Sequence, residues 1–182
     1  MKKIYLIRHG LPDFPGGERM CLGITDLPLG PEGKQQAVLM AKKLPPVTRV
    51  YCSPLQRAVQ TAQAIGSEIW IRSDLRERYA GDWDGLTFRQ IRLRFPELYA
   101  ARSEDRTLPL PNEEPKEEAR SRFYSAVVQV AAEAPGDLVV VAHGGVIGLL
   151  LETLTGLWRK PDYCEVVPVL WDGEKLLWEE ST

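Results

Sequence analysis

Met1-Lys-Lys-Ile4-Tyr5-Leu6-Ile7-Arg8-His9-Gly10 opens the chain, and its four consecutive apolar residues give way abruptly to a cation, an imidazole and a glycine. The apolar run is too short to span a bilayer and suits a strand buried in a parallel sheet. Gly10 permits a sharp turn where a side chain would clash. Arg8 and His9 are therefore expected at the carboxyl end of a strand, where open α/β sheets place their ligand crevices. The pattern recurs at Asp137-Leu138-Val-Val-Val-Ala142-His143-Gly144-Gly145. The chain has 2 histidines, and each leaves an apolar strand into glycine. A lone histidine at a strand end is usually an ordinary turn residue; the repetition argues for a paired role.

Between these two stretches the chain alternates strand and helix signals. A loop rich in Pro and Gly runs from Leu11 to Gly30, long enough to be read as functional rather than connecting. Pro31 suits a first helical position, and the helical pattern continues to Leu44, where Pro45-Pro46 stops it. Arg49–Cys52 reads as a second strand. Ser53-Pro54 is expected to cap and open a helix on which Arg57 lies near the positive end, a place that attracts anions. Ile69–Ile71 reads as a third strand. Thr87-x-x-Gln90 is a capping-box pattern for a short helix through Phe95, ended by Pro96. Leu108–Pro115 reads as an exposed loop, Lys116–Glu133 as the longest helix, Asp137–Ala142 as a strand and Gly145–Leu154 as the helix after it. Val166–Trp171 and Lys175–Trp178 flank Asp172-Gly173 as a terminal hairpin.

This order predicts an α/β three-layer sandwich: a mostly parallel central sheet, helices on both faces and a C-terminal antiparallel hairpin at the edge. The length fits a single domain, 1–182, with 82–115 as a helical cap insertion. A net charge of −2 argues against a nucleic-acid partner, and no stretch is long enough for a membrane. Lys2-Lys3 and the apolar run are too brief for a signal peptide, since Arg8 ends the run. The 3 cysteines, Cys21, Cys52 and Cys164, form no Cys-x-x-Cys and point to a reducing cytoplasm. Whether the chain is a monomer or a homodimer is not readable.

Two arginines and two imidazoles converging at strand ends would suit a dianion, because guanidinium forks match phosphate oxygens. A neutral imidazole in that company can attack phosphorus. Neighbouring guanidinium charge keeps His9 unprotonated, and His143 at a helix N-terminus could donate to phosphoryl oxygens. A leaving alkoxide needs a proton, and the loop holding Glu77, Asp82 and Asp84 offers carboxyls. A cysteine phosphatase loop is excluded, because Cys52 and Arg57 are one residue too close. Two histidines without a cysteine cluster imply no metal.

Arg8-His9-Gly10 after an opening strand resembles the signature of the histidine phosphatase superfamily, which includes the cofactor-dependent phosphoglycerate mutases. Gly23-Ile-Thr25-Asp26-Leu-Pro28-Leu29 with Gly33 and Gln36-Ala37 resembles the family's loop and first helix. Cys52-Ser53-Pro54-Leu-Gln-Arg57-Ala58-x-x-Thr61-Ala62 resembles its phosphate-pocket helix. Leu75-Arg-Glu77-x-x-x-Gly81-x-Trp83-x-Gly85 resembles the segment with its proton donor, and His143-Gly144 its second histidine. The resemblance implies His9 as nucleophile and Glu77 as the acid and then the base. It implies Arg8, Arg57 and His143 as phosphoryl ligands, with Gly23, Thr25 and Gly144 as further substrate contacts. It implies no cofactor and a small-molecule phosphate ester as partner. The sequence departs from the pattern at Leu11-Pro12, where many members have Glu-Thr, and at Pro15, where an Asn contacts phosphate. Pro111–Lys116 also lacks the usual Gly-Glu-Ser. Compactness favours hydrolysis over the mutase alternative, and a leaving-group acid argues against a non-catalytic phosphate-binding module. Among compact members the resemblance extends to α-ribazole-phosphate phosphatases, broad-specificity phosphatases and protein-phosphohistidine phosphatases. α-Ribazole 5'-phosphate is therefore a candidate substrate that the residues alone do not single out.

Overall fold

The computed structural model describes residues 1–66 and 68–179. The strands β1 (Lys2–Arg8), β2 (Arg49–Cys52), β3 (Trp70–Ile71), β4 (Leu138–Ala142), β5 (Val166–Trp171) and β6 (Leu176–Trp178) form one sheet in the order β3-β2-β4-β1-β5-β6. The first four are parallel; β5 runs antiparallel to β1, and β6 antiparallel to β5. This is the expected α/β sandwich with its terminal hairpin at one edge.

The helices are α1 (Pro31–Ala41), α2 (Gln56–Gln63), α3 (Phe88–Arg94), α4 (Pro96–Glu104), α5 (Lys116–Glu133) and α6 (Gly144–Thr155). All five residues of β4 are buried, as a strand covered on both faces requires. Leu138, Val140 and Ala142 join Ile4 and Leu6 under Phe123, Val127 and Val130 of α5 and Ile147 and Leu150 of α6. Val139 and Val141 face the other way, with Ile7, Val50 and Cys52, against Met40 of α1 and Ala58 and Ala62 of α2. Period-two alternation along one strand thus feeds two cores. Each large aliphatic side chain so buried contributes roughly 1.5–3 kcal/mol of apolar transfer.

Several local expectations are corrected. Ser53 does not cap α2: Leu55 takes that position, and the Asp26 carboxylate accepts from Gln56 N at 2.7 Å in its stead. The helix after Pro31 ends at Ala41, three residues short of Leu44. Pro96 ends α3 but also opens α4 as its first residue, where its missing N–H costs nothing. The Thr87–Gln90 capping box is present. The stretch Leu108–Pro115 is not simply exposed: Leu110 is buried with Trp83 and Ile91, and Glu113 and Glu114 pair with arginines of the Glu77 loop. The segment 82–115 thus has a small core of its own, with Cys21, Phe95 and Tyr99 packed around it.

Candidate active site

Register decides what meets at the strand ends. Arg8 pairs with Ala142, and the next residue on each strand is a histidine. The ladder carries one step further, with His9 N donating to Ala142 O at 3.1 Å. The His9 and His143 rings lie 5.2 Å apart, centroid to centroid. Both are buried. Burial first, and the Arg57 charge second, push both imidazoles well below the ordinary histidine value, so both are neutral near pH 7.

Each ring is tethered at a different nitrogen. His9 Nδ1 lies 2.7 Å from Gly10 O, which can only accept, so Nδ1 carries the hydrogen and Nε2 keeps its lone pair. Arg57 Nε donates to that Nε2 at 3.3 Å, a long bond that is readily exchanged. Gly10 is fixed in turn by Thr61, whose Oγ1 accepts from Gly10 N at 3.0 Å and donates to Arg57 O at 2.7 Å. His143, the N-cap residue of α6, is held from the other end: its Nε2 meets Ser53 Oγ at 2.7 Å, while buried Nδ1 has no partner among the described residues.

Arg57 is fully buried at the start of α2. Its Nη1 donates to Thr25 O and its Nη2 to Gly23 O, each at 2.7 Å. Gly23 and Thr25 thus reach the site through backbone carbonyls that orient the guanidinium. The Thr25 side chain turns away to Asp84, which also accepts from Ile24 N and Thr25 N. Arg8 stacks its guanidinium 3.8 Å from the Tyr163 ring centroid and donates from Nη1 to Pro161 O at 2.8 Å; its Nε is buried and unpartnered among the described residues.

Glu77, though flanked by Arg76 and Arg78, is buried rather than solvated. Its Oε2 accepts from Gly145 N at 2.9 Å, and its Oε1 from Val146 N at 3.1 Å and Arg78 N at 2.8 Å. The carboxyl group therefore sits on the positive end of α6, the helix whose N-cap is His143. A Cβ at position 145 would come 2.6 Å from Glu77 Oε1, so only glycine admits the group there. Arg122 secures the segment by donating to the carbonyls of Asp74 and Arg76 and to both oxygens of Glu114. The structure thus brings Arg8, His9, Arg57, Glu77, His143 and Gly144 to one crevice.

The segment before β5 also belongs to the site, although sequence patterns do not mark it. Lys160, Pro161 and Tyr163 border the crevice, with the Tyr163 ring 5.8 Å from His9. No motif points to them. The topology does, because β5 runs antiparallel to β1 with Val166 opposite Ile7, so residues just ahead of Val166 must arrive over His9. Ser53 escapes as a histidine partner for the same reason: Cys52 pairs with Val141 on the adjacent strand, and Ser53 follows one residue and His143 two residues later. No cluster of three or more metal-ligating side chains, and no helix long and apolar enough to cross a membrane, occurs among the described residues.

The family model of the histidine phosphatase superfamily (branch 1) matches residues 4–178. The chain is 34% identical to phosphoglycerate mutase-like protein 4 of Arabidopsis thaliana, over 95% of this chain and 81% of that protein. It is 33% identical to the glucosyl-3-phosphoglycerate phosphatase of Mycobacterium tuberculosis, over 86% of this chain and 76% of that one. The α-ribazole phosphatase structure from Shigella flexneri shares the fold, with a TM-score of 0.81 at 24% identity over 97% of this chain and 94% of that one.

Proposed function

The chain belongs to branch 1 of the histidine phosphatase superfamily, and on that premise we propose that it hydrolyses a small phosphate monoester through a phosphohistidine on His9. The observation that carries this reading is the neutral His9 with Nδ1 tied to its own glycine carbonyl and Nε2 facing the crevice. A phosphoryl dianion entering beside it takes the Arg57 Nε donor for one of its oxygens and so frees the lone pair. Buried Arg8 Nε supplies a second donor. The Ser53 hydroxyl, which already accepts weakly from Leu55 N at 3.3 Å, gives its hydrogen to His143 Nε2. His143 Nδ1 then carries a hydrogen aimed at a phosphoryl oxygen, a donor that needs no reorganisation as charge shifts.

In the first step His9 Nε2 bonds to phosphorus as the P–O bond to the alcohol breaks, and the electron pair leaves on oxygen. Glu77 protonates that oxygen; its Oε2 accepts a single backbone bond, which leaves a position for the proton. Water then attacks the phosphohistidine, Glu77 takes its proton and inorganic phosphate departs with His9 regenerated. Residues 82–115, anchored to the 11–30 loop by the Asp84 bonds and by Cys21 N donating to Leu86 O at 2.9 Å, serve as the cap that limits the alcohol to small molecules. Three free cysteines suit a cytoplasmic setting. The relatives offer a phosphoglycerate ester as candidate substrate, and the wider resemblance offers α-ribazole 5'-phosphate.

The test is a turnover screen over p-nitrophenyl phosphate, α-ribazole 5'-phosphate and 3-phosphoglycerate with its bisphosphate cofactor. Release of inorganic phosphate supports hydrolysis. Formation of 2-phosphoglycerate with little phosphate release replaces it with the mutase reading. Binding without turnover refutes both.

A further inference from the structure

The tautomer of His9 hangs on one peptide unit, and that unit has a second end. His9 Nδ1 meets Gly10 O at 2.7 Å. The N–H of the same peptide, that of Leu11, donates to Gln36 Oε1 of α1 at 2.9 Å. A chain of hydrogen bonds therefore runs from the imidazole through the Gly10–Leu11 amide to the Gln36 side chain. The helix comes this close because two glycines face each other. A Cβ at Gly10 would meet Gly33 O at 2.5 Å, and a Cβ at Gly33 would overlap Leu11 O and stand 2.8 Å from Leu11 N. Gly33 lies in the first turn of α1, and Gln36 is three residues on, along the same side of the helix. The flanking groups are held separately, Gly10 N by Thr61 Oγ1 at 3.0 Å and Leu11 O by Gly30 N at 3.1 Å. The far end of the Gln36 amide only grazes Glu32, at 3.5 Å on the surface.

Resting on the phosphatase reading, we infer that Gln36 is a positioning residue for that reaction: by holding the Leu11 N–H it fixes the Gly10 carbonyl on His9 Nδ1 and so keeps the Nε2 lone pair for phosphorus. Two physical effects act in the same sense. The first is geometric. A peptide is planar and turns as one body, so a hydrogen bond at its N–H sets the direction of its carbonyl. Without an acceptor at position 36, the Leu11 N–H must seek water by rotating that plane, and the carbonyl rotates away from the ring with it. The second is electronic. Hydrogen bonds in a chain polarise one another, so an amide whose N–H is bonded offers a stronger carbonyl acceptor. Both effects favour the hydrogen on Nδ1. Gln36 bonds to none of Arg8, Arg57, Glu77 and His143, so its influence passes through the imidazole. A side chain that merely fastened the 11–30 loop would change stability and leave the ring as it was.

The experiment reads the tautomer directly. NMR of protein carrying histidine enriched in the heavy nitrogen isotope shows which ring nitrogen bears hydrogen, and it needs no substrate. In the wild type His9 should bear it on Nδ1. Gln36→Met keeps the length of the side chain and removes the acceptor, and should move weight to the Nε2–H form. Gln36→Glu keeps an acceptor and should hold the wild-type form. The same variants are then followed by rapid quench on p-nitrophenyl phosphate. Gln36→Met should slow formation of the phosphoenzyme roughly fivefold to tenfold, the worth of one hydrogen bond, while the inhibition constant for inorganic phosphate stays within about twofold. Gln36→Glu should recover most of the rate. Gln36→Leu stands in should Gln36→Met fail to fold. A tautomer indifferent to position 36 overturns the inference even if the rate falls. So does a shifted tautomer with a wild-type rate, or a Gln36→Glu enzyme no faster than Gln36→Met. In each of those cases turnover by the wild type leaves the phosphatase reading standing. If the wild type hydrolyses no ester, that reading fails, and the inference about its nucleophile fails with it.

Discussion

The ends of β1 and β4 carry the same local sequence, an apolar strand running into His-Gly, and sit side by side in register, yet their imidazoles are tied down by opposite nitrogens. The cause lies in the backbone after each glycine. Gly10 leads into a loop, so its carbonyl is free to bend back onto His9 Nδ1. Gly144 is the first residue of α6, and the helix takes up its backbone, with His143 O already accepting from Ile147 N at 3.0 Å. His143 must find its partner elsewhere and takes Ser53 from the end of β2. One ring therefore presents a lone pair at Nε2 and the other, with Ser53 donating as proposed, a hydrogen at Nδ1. In the proposed mechanism the same dipeptide supplies a nucleophile at one strand end and a donor at its neighbour, because secondary structure after the glycine, not the histidine itself, sets the tautomer.

The sharpest way to break this comparison is to exchange the roles. His9→Ala should lower p-nitrophenyl phosphate hydrolysis by at least about 10⁴-fold, as loss of a nucleophile does. In the wild type, phosphoryl label trapped by rapid quench should map to His9. Label on His143, or activity of His9→Ala within tenfold of wild type, would reverse the assignment. Next in size comes Glu77→Ala, expected to slow esters with poor leaving groups by roughly 10²–10⁴-fold while activated aryl esters lose much less. Equal losses on both ester types would show that Glu77 holds α6 in place rather than moving a proton.

A smaller effect isolates the tautomer. Ser53→Ala removes the hydroxyl from His143 Nε2 while leaving all of the proposed phosphoryl ligands in place. The ring is then free to place its hydrogen on either nitrogen, and kcat should fall roughly tenfold to hundredfold, about the worth of one hydrogen bond to a charged group. Ser53→Thr, which restores a hydroxyl, should recover much of it. A Ser53→Ala enzyme with wild-type kcat would mean that the Nδ1 hydrogen is secured without serine.

These residues differ in how well the sequence announces them. The two histidines, Arg57 and Glu77 stand in local patterns whose physics is short-range: a strand that ends in glycine, a helix start, an acidic loop. The strands Arg49–Cys52 and Val166–Trp171 and the helix Lys116–Glu133 match their expected bounds because apolar period and breakers agree there. Ser53 misleads for a comparable reason, since Ser-Pro is an ordinary helix opening and nothing local says that a histidine 90 residues later will claim the hydroxyl. The α4 helix escapes the pattern because Pro96 serves as stop and start at once. Lys160 and Tyr163 are brought to the crevice by β5 running antiparallel against β1, a long-range fact that no window of sequence contains.

The smallest effect concerns stability, and its sign comes from the same two rings. Both histidines are held well below the ordinary value of 6.5 in the folded chain, chiefly by burial. Above pH 6.5 they are neutral whether the chain is folded or not, and contribute nothing to the pH dependence. Below 6.5 the unfolded chain binds protons that the folded one refuses, so stability must fall as pH falls. Each histidine adds up to about 1.4 kcal/mol per pH unit, a tenfold change in the unfolding equilibrium. Between pH 6.5 and about 5 this slope belongs to the histidines, because carboxylates such as Glu152 and Asp105, held low by Arg120 and Thr107, lose their contribution only in more acid solution. Urea unfolding across that interval should show a wild-type slope that His143→Gln and His9→Gln each reduce by about half. A slope half as steep would mean that the folded chain admits a proton to one of these rings, the one whose substitution leaves the slope unchanged, and a flat profile would mean that it admits a proton to both.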